Sequence, residues 1–387
     1  MKVMYLMFNR ATKYLEKKNY TKALSFFKKQ IADREFKELY LNMGNTYKAL
    51  GDDKSALKCY LTAFRDEMPY ADGSFGPYSL ALNNIGLLEY SLGNNSSATS
   101  FYKAALTLDP LYGEAVWNLS IATLKETNCL VGWDMYEYRF NRGAGSVRID
   151  NSISRWDGHS SGSRIVVLTE QGFGDKIMFG RYLSYLRFFF TDVVVCCAPE
   201  LDRLYAPYTC VRNTDGFTVS VPLCSLAGRF GIVPENWLDG KFVAHDFADN
   251  FNIGVVNTGS PTHANDRNRS CPSNYMSALS SYGTLYSLSP GAKIAKATTL
   301  NPASWAETAS YLLGLDVVVS VDTSIVHLAG TLGVPCIMVQ PLKETDFRWG
   351  NAGVQNVWYP SVTVIPNDND WEVAFSKVHE RIQCIEK

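Results

Sequence analysis

Asp322, Thr323 and Ser324 follow the apolar run Val317 to Val321 and precede Ile325 to Leu332 and Gly333. That order predicts a strand, a turn and a helix that Thr323 or Ser324 can cap. A helix begun this way turns free backbone N–H groups and the positive end of its dipole outward, a site suited to a diphosphate. His327 lies one turn further on and can reach the same ligand. Taken alone, the segment is read more simply as a capped helix with a buried histidine.

A second candidate is the run T-E-Q-G-F-G-D-K-I from Thr169. Gly172 and Gly174 allow a sharp turn and close approach of backbone to a ligand. Asp175, expected in the first turn of the next helix and exposed at a cleft, can take a proton from a hydroxyl nucleophile. Complementing the helix dipole is an equally good reading of its position. GFGDKI is not a dinucleotide fingerprint, having no third glycine and no acidic partner about 20 residues on. Arg267 and Arg269, in the polar loop SPTHANDRNRSCPS, suit phosphate oxygens bidentately. As bare sequence they serve equally as solvated loop charges.

These segments need rigid elements. From Arg164 the chain alternates β-branched runs with helical stretches: RIVVLT, VVVCCA, FTVSV, NIGVVNTG, TLYSLS, DVVVSVD, PCIMVQ and VTVI. Short, continuously apolar strands separated by helices predict parallel sheets covered on both faces. A break near KFVAHDFADNF divides them into two doubly wound groups facing one cleft. Trp371 to Ile385 is expected to be a helix packing back across the pair. In such sheets ligands bind outside the carboxyl ends of strands, where both candidate segments fall.

The first 140 residues read differently. Asn42, Gly44, Leu50, Gly51, Ala56, Tyr60 and Ala63 recur as Asn84, Gly86, Leu92, Gly93, Ala98, Tyr102 and Ala105, all offset by 42. A unit of about 34 residues with an enlarged linker, MPYADGSFGP, accounts for the offset. Ala23 and Phe27 upstream, and Asn118 and Tyr136 downstream, extend the pattern to four units with degenerate outer members. It resembles the tetratricopeptide repeat, a pair of antiparallel helices. Gly44 and Gly86, like Ser120, are small where helices approach, and Leu-Gly at 50–51 and 92–93 is a helix-ending turn. Such repeats either hold a protein partner or brace the domain after them.

Composition narrows the class. The chain has 387 residues, 46% hydrophobic, with 37 Lys and Arg against 38 Asp and Glu, so no net basic field draws it to nucleic acid or anionic membrane. Residues 1–60 carry a local excess of seven positive charges, common on solvated helices. Nine scattered cysteines include no Cys or His cluster at metal-ligand spacing, and read as reduced, mostly buried thiols. No apolar run approaches the roughly 18 residues of a membrane helix. The expectation is a soluble, cytoplasmic protein with no metal and no cofactor.

The ordered set WDG, TEQGFGDKIMFGRYL, NTGSPTHANDRNRS, SLSPGA, WAETASYLLGLDVVVSVDTSIVHLAGTLGVPCIMV, FRWG and WYPSV resembles bacterial glycosyltransferases with amino-terminal tetratricopeptide repeats. These are related to heptosyltransferases and more distantly to O-GlcNAc transferases. The resemblance runs from about residue 40 to 365, with GWDMYEYRF similar to the last repeat helix. It implies an α-helical repeat domain (1–145) followed by an α/β GT-B glycosyltransferase of two Rossmann-like domains, acceptor-side (160–248) and nucleotide-sugar (250–387). It also implies metal-independent, inverting transfer from a nucleotide-sugar to an acceptor hydroxyl. Asp175 matches the general base, and Gln171, Gly172, Phe173 and Gly174 the acceptor-side loop. Asp322, Thr323, Ser324 and His327 match the donor motif, Arg267 and Arg269 the basic loop at the departing diphosphate, and Leu288 to Gly291, with Ser289, the base contacts. KETDFRWG is polar where relatives have an aromatic-proline stretch. The acceptor is left open among a protein side chain threaded through the repeats, a glycan or lipid-linked sugar, and a modified nucleic-acid base. A non-catalytic repeat scaffold and a GT-B nucleotide-sugar epimerase are the alternatives.

Overall fold

The computed structural model describes residues 2–31, 35–64, 78–127, 129–142, 147, 149, 152–231, 237–238, 240–247, 251–260, 265–289, 291, 293–341, 343, 345–350, 356–367 and 370–386, with backbone only at 2–6, 267 and 386. The linker MPYADGSFGP, up to residue 77, and residues 261–264 of the polar loop lie outside the described residues. Contacts divide the chain into one unit of Met1–Thr123 with Asn141–Gly145 and a second of Leu124–Phe140 with Ser146–Lys387.

The first unit is helical: α1 (Lys2–Glu16), α2 (Tyr20–Ile31), α3 (Lys37–Leu50), α4 (Asp53–Ala63), α5 (Ser79–Ser91), α6 (Asn95–Leu108) and the start of α7 (Gly113–Thr127). The repeat glycines act through close packing. A Cβ on Gly44 would stand 2.3 Å from the Tyr60 ring, and one on Gly86 2.6 Å from the Tyr102 ring. Each aromatic ring of a second helix thus lies on the bare backbone of the first, with Ala56 and Ala98 fully buried beside them. Gly51 and Gly93 take φ of 81° and 85° after their helices, a backbone that side chains rarely adopt.

The second unit opens with α8 (Leu130–Tyr136) and holds two all-parallel sheets. The first sheet comprises β1 (Ser154–Arg155), β2 (Gly162–Leu168), β3 (Phe190–Cys196), β4 (Thr209–Val211) and β5 (Val219–Pro222), in the order β1-β5-β2-β3-β4. Its helices are α9 (Phe173–Phe179), α10 (Leu183–Leu186), α11 (Asp202–Tyr205) and α12 (Leu226–Phe230). The second comprises β6 (Asn252–Val256), β7 (Thr284–Ser287), β8 (Ala297–Thr299), β9 (Val317–Val321), β10 (Cys336–Pro341) and β11 (Val362–Asn367), in the order β11-β10-β9-β6-β7-β8. With it go α13 (Asp266–Arg269), α14 (Ser273–Ala278), α15 (Trp305–Leu313), α16 (Ser324–Leu332) and α17 (Trp371–Glu386).

The predicted strands form in register, Val166 opposite Val194 and Gly254 opposite Val318. Strands β1, β4 and β8 carry no expectation because each has two or three residues at or near an edge, where little apolar sequence is needed. Ile253, Val255, Val317, Val319, Ile337 and Val339 build the second core with Ala374, Phe375, Val378 and Ile382 of α17. Each such side chain, fully buried, contributes about 1.5–3 kcal/mol. Helix α17 lies against β9, β10 and β11 of its own sheet, where a helix crossing to both sheets was expected from sequence; its apolar stripe is used on that one core.

The boundary at residue 145 also differs from the contacts. Leu124–Phe140 belongs with the sheets because Trp133, 2% exposed, packs edge-on against Phe179, Phe347 and Trp358. Arg139, fully buried, donates through Nε and Nη2 to the Glu170 carboxylate at 3.2 and 3.0 Å.

Candidate active site

Both sheets reverse their strand order beside their first long strand. In the first, the chain passes from β2 to β3 and β4 on one side, then returns to β5 on the other. In the second, β6 is followed by β7 and β8, then β9 returns to its other side. In doubly wound sheets ligands bind outside the carboxyl ends of the strands flanking such a reversal. Hydrogen bonds span both reversals: the Cys224 N–H donates to Glu170 at 2.9 Å across β5 and β2, and Arg269 Nη1 donates to the Asp322 carbonyl at 3.0 Å across β6 and β9.

After β2, Gln171 is held at φ 62°, its Nε2 donating to the Tyr136 hydroxyl at 2.7 Å. A non-glycine residue in that region costs free energy, of order 1–3 kcal/mol, which the Tyr136 bond helps offset. Gly172 caps α9, and its N–H donates to Asp175 Oδ2 at 3.2 Å. The other oxygen, Oδ1, accepts from Arg348 Nη2. Asp175 is therefore half-buried and paired, where exposure was expected. Burial raises its carboxyl above the ordinary range, and the Arg348 charge opposes that rise. Arg348, 7% exposed, also donates to Asp346 at 2.8–2.9 Å and lies over the Phe347 ring. Burial pushes Asp346 up, but the Arg348 charge and hydrogen bonds hold it below its usual value.

After β9, Thr323 occupies the N-cap position of α16 with extended backbone, but its side chain makes no capping bond. Its hydroxyl lies 3.3 Å from that of Ser320. The expected capping by Thr323 or Ser324 is thus replaced by a backbone turn, Val326 N–H to the Thr323 carbonyl at 3.1 Å. His327 is 7% exposed, its Nδ1 3.0 Å from the Tyr359 hydroxyl and its ring 4.7 Å from that of Trp349. Burial lowers it to about 3, so it is neutral at physiological pH. Burial and the nearby Asp346 charge push Asp322 up to about 7.

The two helix starts meet. A Cβ on Gly174 would lie 2.6 Å from His327 Cδ2, so the missing side chain lets α9 and α16 touch. The structure thereby brings Gly172, Gly174, Asp175 and His327 together, with Arg348 on the turn after β10. Phe173, 37% exposed, instead packs on Trp305 at 5.3 Å. Arg269 is 8% exposed and spends its donors on Asp266 and the carbonyls of Asp322 and Ser260. The Arg267 backbone is in α13, while its side chain lies outside the described residues. Ser289 is fully buried, its hydroxyl accepting from the Asn257 N–H at 3.0 Å, so the side chain fastens β6 to β7. Pro290 lies outside the described residues.

Sequence spacing misses Arg348, Asp346, Glu170, Arg139 and Lys125. Lys125 Nζ donates to Thr345 Oγ1, and burial lowers its basicity against the pull of Asp346. The signal available in sequence was charge inside otherwise apolar or aromatic text, Asp346-Phe347-Arg348-Trp349 above all.

A tetratricopeptide-repeat model matches residues 37–65 and 80–110. These are the α3/α4 and α5/α6 pairs, and the chain carries tetratricopeptide repeats. No curated protein matches it. Among solved structures, the APC/C hetero-tetramer Cut9–Hcn1 is 16% identical with a TM-score of 0.30, over 34% of this chain and 24% of that one. The present chain thus spans about a quarter of that relative's length. YrrB, titled a TPR protein with an unusual peptide-binding site, is 19% identical with a TM-score of 0.28, over 35% of this chain and 67% of its own. A variant O-GlcNAc transferase from Thermobaculum terrenum is 13% identical with a TM-score of 0.33, over 96% of this chain and 88% of its own. Among the described residues, no helix is long and apolar enough to cross a membrane.

Proposed function

We propose that the chain is a glycosyltransferase of GT-B type, related to the heptosyltransferases, moving a sugar from a nucleotide-sugar to an acceptor hydroxyl. The supporting observation is the contact of Gly174 with His327, which joins the start of α9 to that of α16, each at the carboxyl end of a strand in a different sheet. A base and an anion site are then adjacent, as the reaction needs. Asp175 takes the hydroxyl proton, the acceptor oxygen bonds to the anomeric carbon, and the bond from that carbon to the diphosphate oxygen breaks with inversion. The Arg348 charge favours the ionised form of Asp175 against the rise that burial causes. The free amides of Ser324 and Ile325, with the α16 dipole, stabilise charge developing on the diphosphate. Arg269 holds the Asp322 carbonyl and so positions that turn. His327, neutral, orients the donor side through its ring edge. No metal is needed for this charge balance, and the repeats are assigned a protein partner or acceptor.

Thermal shifts against UDP, GDP, ADP, CMP and TDP and their sugars test the reading. At about 100 times the dissociation constant a bound nucleotide stabilises by roughly 2.7 kcal/mol. A shift with one nucleotide, followed by acceptor-dependent sugar transfer lost in Asp175→Asn, is expected. Epimerised sugar without acceptor, or no nucleotide response at all, would overturn it in favour of the epimerase or the scaffold.

A further inference from the structure

At the β4 edge of the first sheet, three potential ligands converge. Cys197 follows β3 directly, Cys210 is the middle residue of β4, and Asp202 is the first residue of α11. One ligand atom from each lies within 4.8 Å of the other two. Strand register explains the meeting. Val195 is level with Cys210 in the parallel ladder, and Cys197, two residues further, points to the same face. The ladder continues through the Cys197 N–H, which donates to the Val211 carbonyl at 3.2 Å.

We propose that Cys197, Asp202 and Cys210 form a binding site for a thiolate-preferring divalent cation of the zinc class, with water as fourth ligand. Two thiolates and one carboxylate suit zinc, whose Zn–S bonds of about 2.3 Å put tetrahedral ligand atoms roughly 3.8 Å apart. The carboxylate is already divided in the required way. Oδ1 faces the Cys197 sulfur at 3.6 Å, while Oδ2 accepts from Arg212 Nη2. Arg212 Nη1 also donates to the Cys197 carbonyl at 3.2 Å. One arginine thus orients two of the three ligands from behind, as outer partners of metal sites do. Binding exchanges two thiol protons for one M²⁺, and two thiolates, one carboxylate, one guanidinium and the cation sum to zero charge. Cys197 is buried, while Asp202 and Cys210 are half-buried, which leaves an open side for water.

A disulfide fits less well. With strands about 4.8 Å apart and a rise of about 3.3 Å per residue, a two-residue offset puts the Cα atoms about 8 Å apart, beyond the roughly 7 Å a disulfide spans. A metal bridges that distance with two longer arms. The occupied site would tie the edge strand β4 to β3 and α11.

The full chain, purified with reductant and stripped of metal, is titrated with Co²⁺ and then Zn²⁺. One equivalent of Co²⁺ should give tetrahedral d–d bands with thiolate charge transfer, displaced by Zn²⁺, and one Zn²⁺ should raise the melting temperature. Cys197→Ser and Cys210→Ser should abolish the bands, and Asp202→Asn should weaken binding at least tenfold with circular dichroism unchanged. Because Cys197 is buried, the half-buried Cys210→Ser decides the matter if Cys197→Ser fails to fold. Absence of one-to-one binding, bands unchanged in Cys210→Ser, or quantitative closure of a Cys197–Cys210 disulfide in preference to holding Zn²⁺ would overturn the proposal.

Discussion

Arg348 donates from Nη2 to Oδ1 of Asp175 across 173 positions of sequence, joining the turn after β10 to the first turn of α9. The same guanidinium holds Asp346, so one cation serves two carboxylates from the two halves of the α/β unit.

Removing that cation leaves two half-buried carboxylates, Asp175 and Asp346, without their shared partner. Arg348→Met should destabilise the chain by about 1–3 kcal/mol, the cost of leaving such groups without their hydrogen-bond donor. Urea unfolding read by tryptophan fluorescence measures it. A loss below about 1 kcal/mol would show that the pair is solvated in solution.

Asp175→Asn should reduce transfer by about 10²–10⁴-fold, as expected for loss of a general base. Nucleotide binding should be retained, because the proposed donor site lies on α16. Rate and nucleotide affinity falling together would assign Asp175 to the architecture of α9 rather than to chemistry.

Asp322 and His327 bias stability against pH in opposite directions. Asp322 titrates at about 7 in the folded chain against 3.8 unfolded, so between about pH 4 and 7 the folded state binds more protons and stability falls as pH rises. His327 titrates at about 3 against 6.5 unfolded, so between about pH 3 and 6.5 the unfolded state binds more protons and stability rises with pH. Between about pH 4 and 6.5 the two slopes nearly cancel, so Asp322→Asn should leave stability rising with pH there and His327→Gln should leave it falling. Chemical denaturation at several pH values checks both, and superimposable profiles would remove both assignments.

Much of the fold was legible because continuous apolar strands announce themselves. RIVVLT, VVVCCA and DVVVSVD are short, β-branched and continuously apolar, the pattern of buried parallel strands, and the recurring Gly44 and Gly86 mark where helices approach, although only the structure shows that the Tyr60 and Tyr102 rings cover them. The boundary was less legible, since the repeat pattern carries through Tyr136 although Trp133 belongs to the aromatic cluster with Phe179 and Trp358. At the site, the two helix starts could be read from local turn chemistry. Their contact could not, nor could the Arg348 pair, since both depend on how two sheets pack. Likewise Cys197 and Cys210 fit no short metal-binding spacing and meet only through strand pairing.

Gly174→Ala tests the contact between the helix starts. Its Cβ would fall 2.6 Å from His327 Cδ2, inside van der Waals contact, so α9 must shift. A cost of about 1–3 kcal/mol is expected, together with reduced turnover. Gly172→Ala, with open space around its Cβ apart from Asp175 Oδ2 at 3.5 Å, is the control. Equal effects from both would refute the contact.

Gly44→Ala carries the same logic into the repeats, where the new methyl would meet the Tyr60 ring at 2.3 Å. Destabilisation of about 1–3 kcal/mol is expected. Tyr60→Leu in the same chain should recover part of it, a non-additivity that a double-mutant cycle reads directly.

The strand order sets a timetable for synthesis. Every strand of the first sheet lies between Ser154 and Pro222, so that sheet can close while the second is still untranslated. Arg348 leaves the ribosome 126 residues after Pro222, roughly 6–25 s later at about 5–20 residues per second. Throughout that interval Asp175 waits without its cation. A chain interrupted anywhere in between lacks the Asp175–Arg348 pair, so completion of translation is itself the step that assembles the centre.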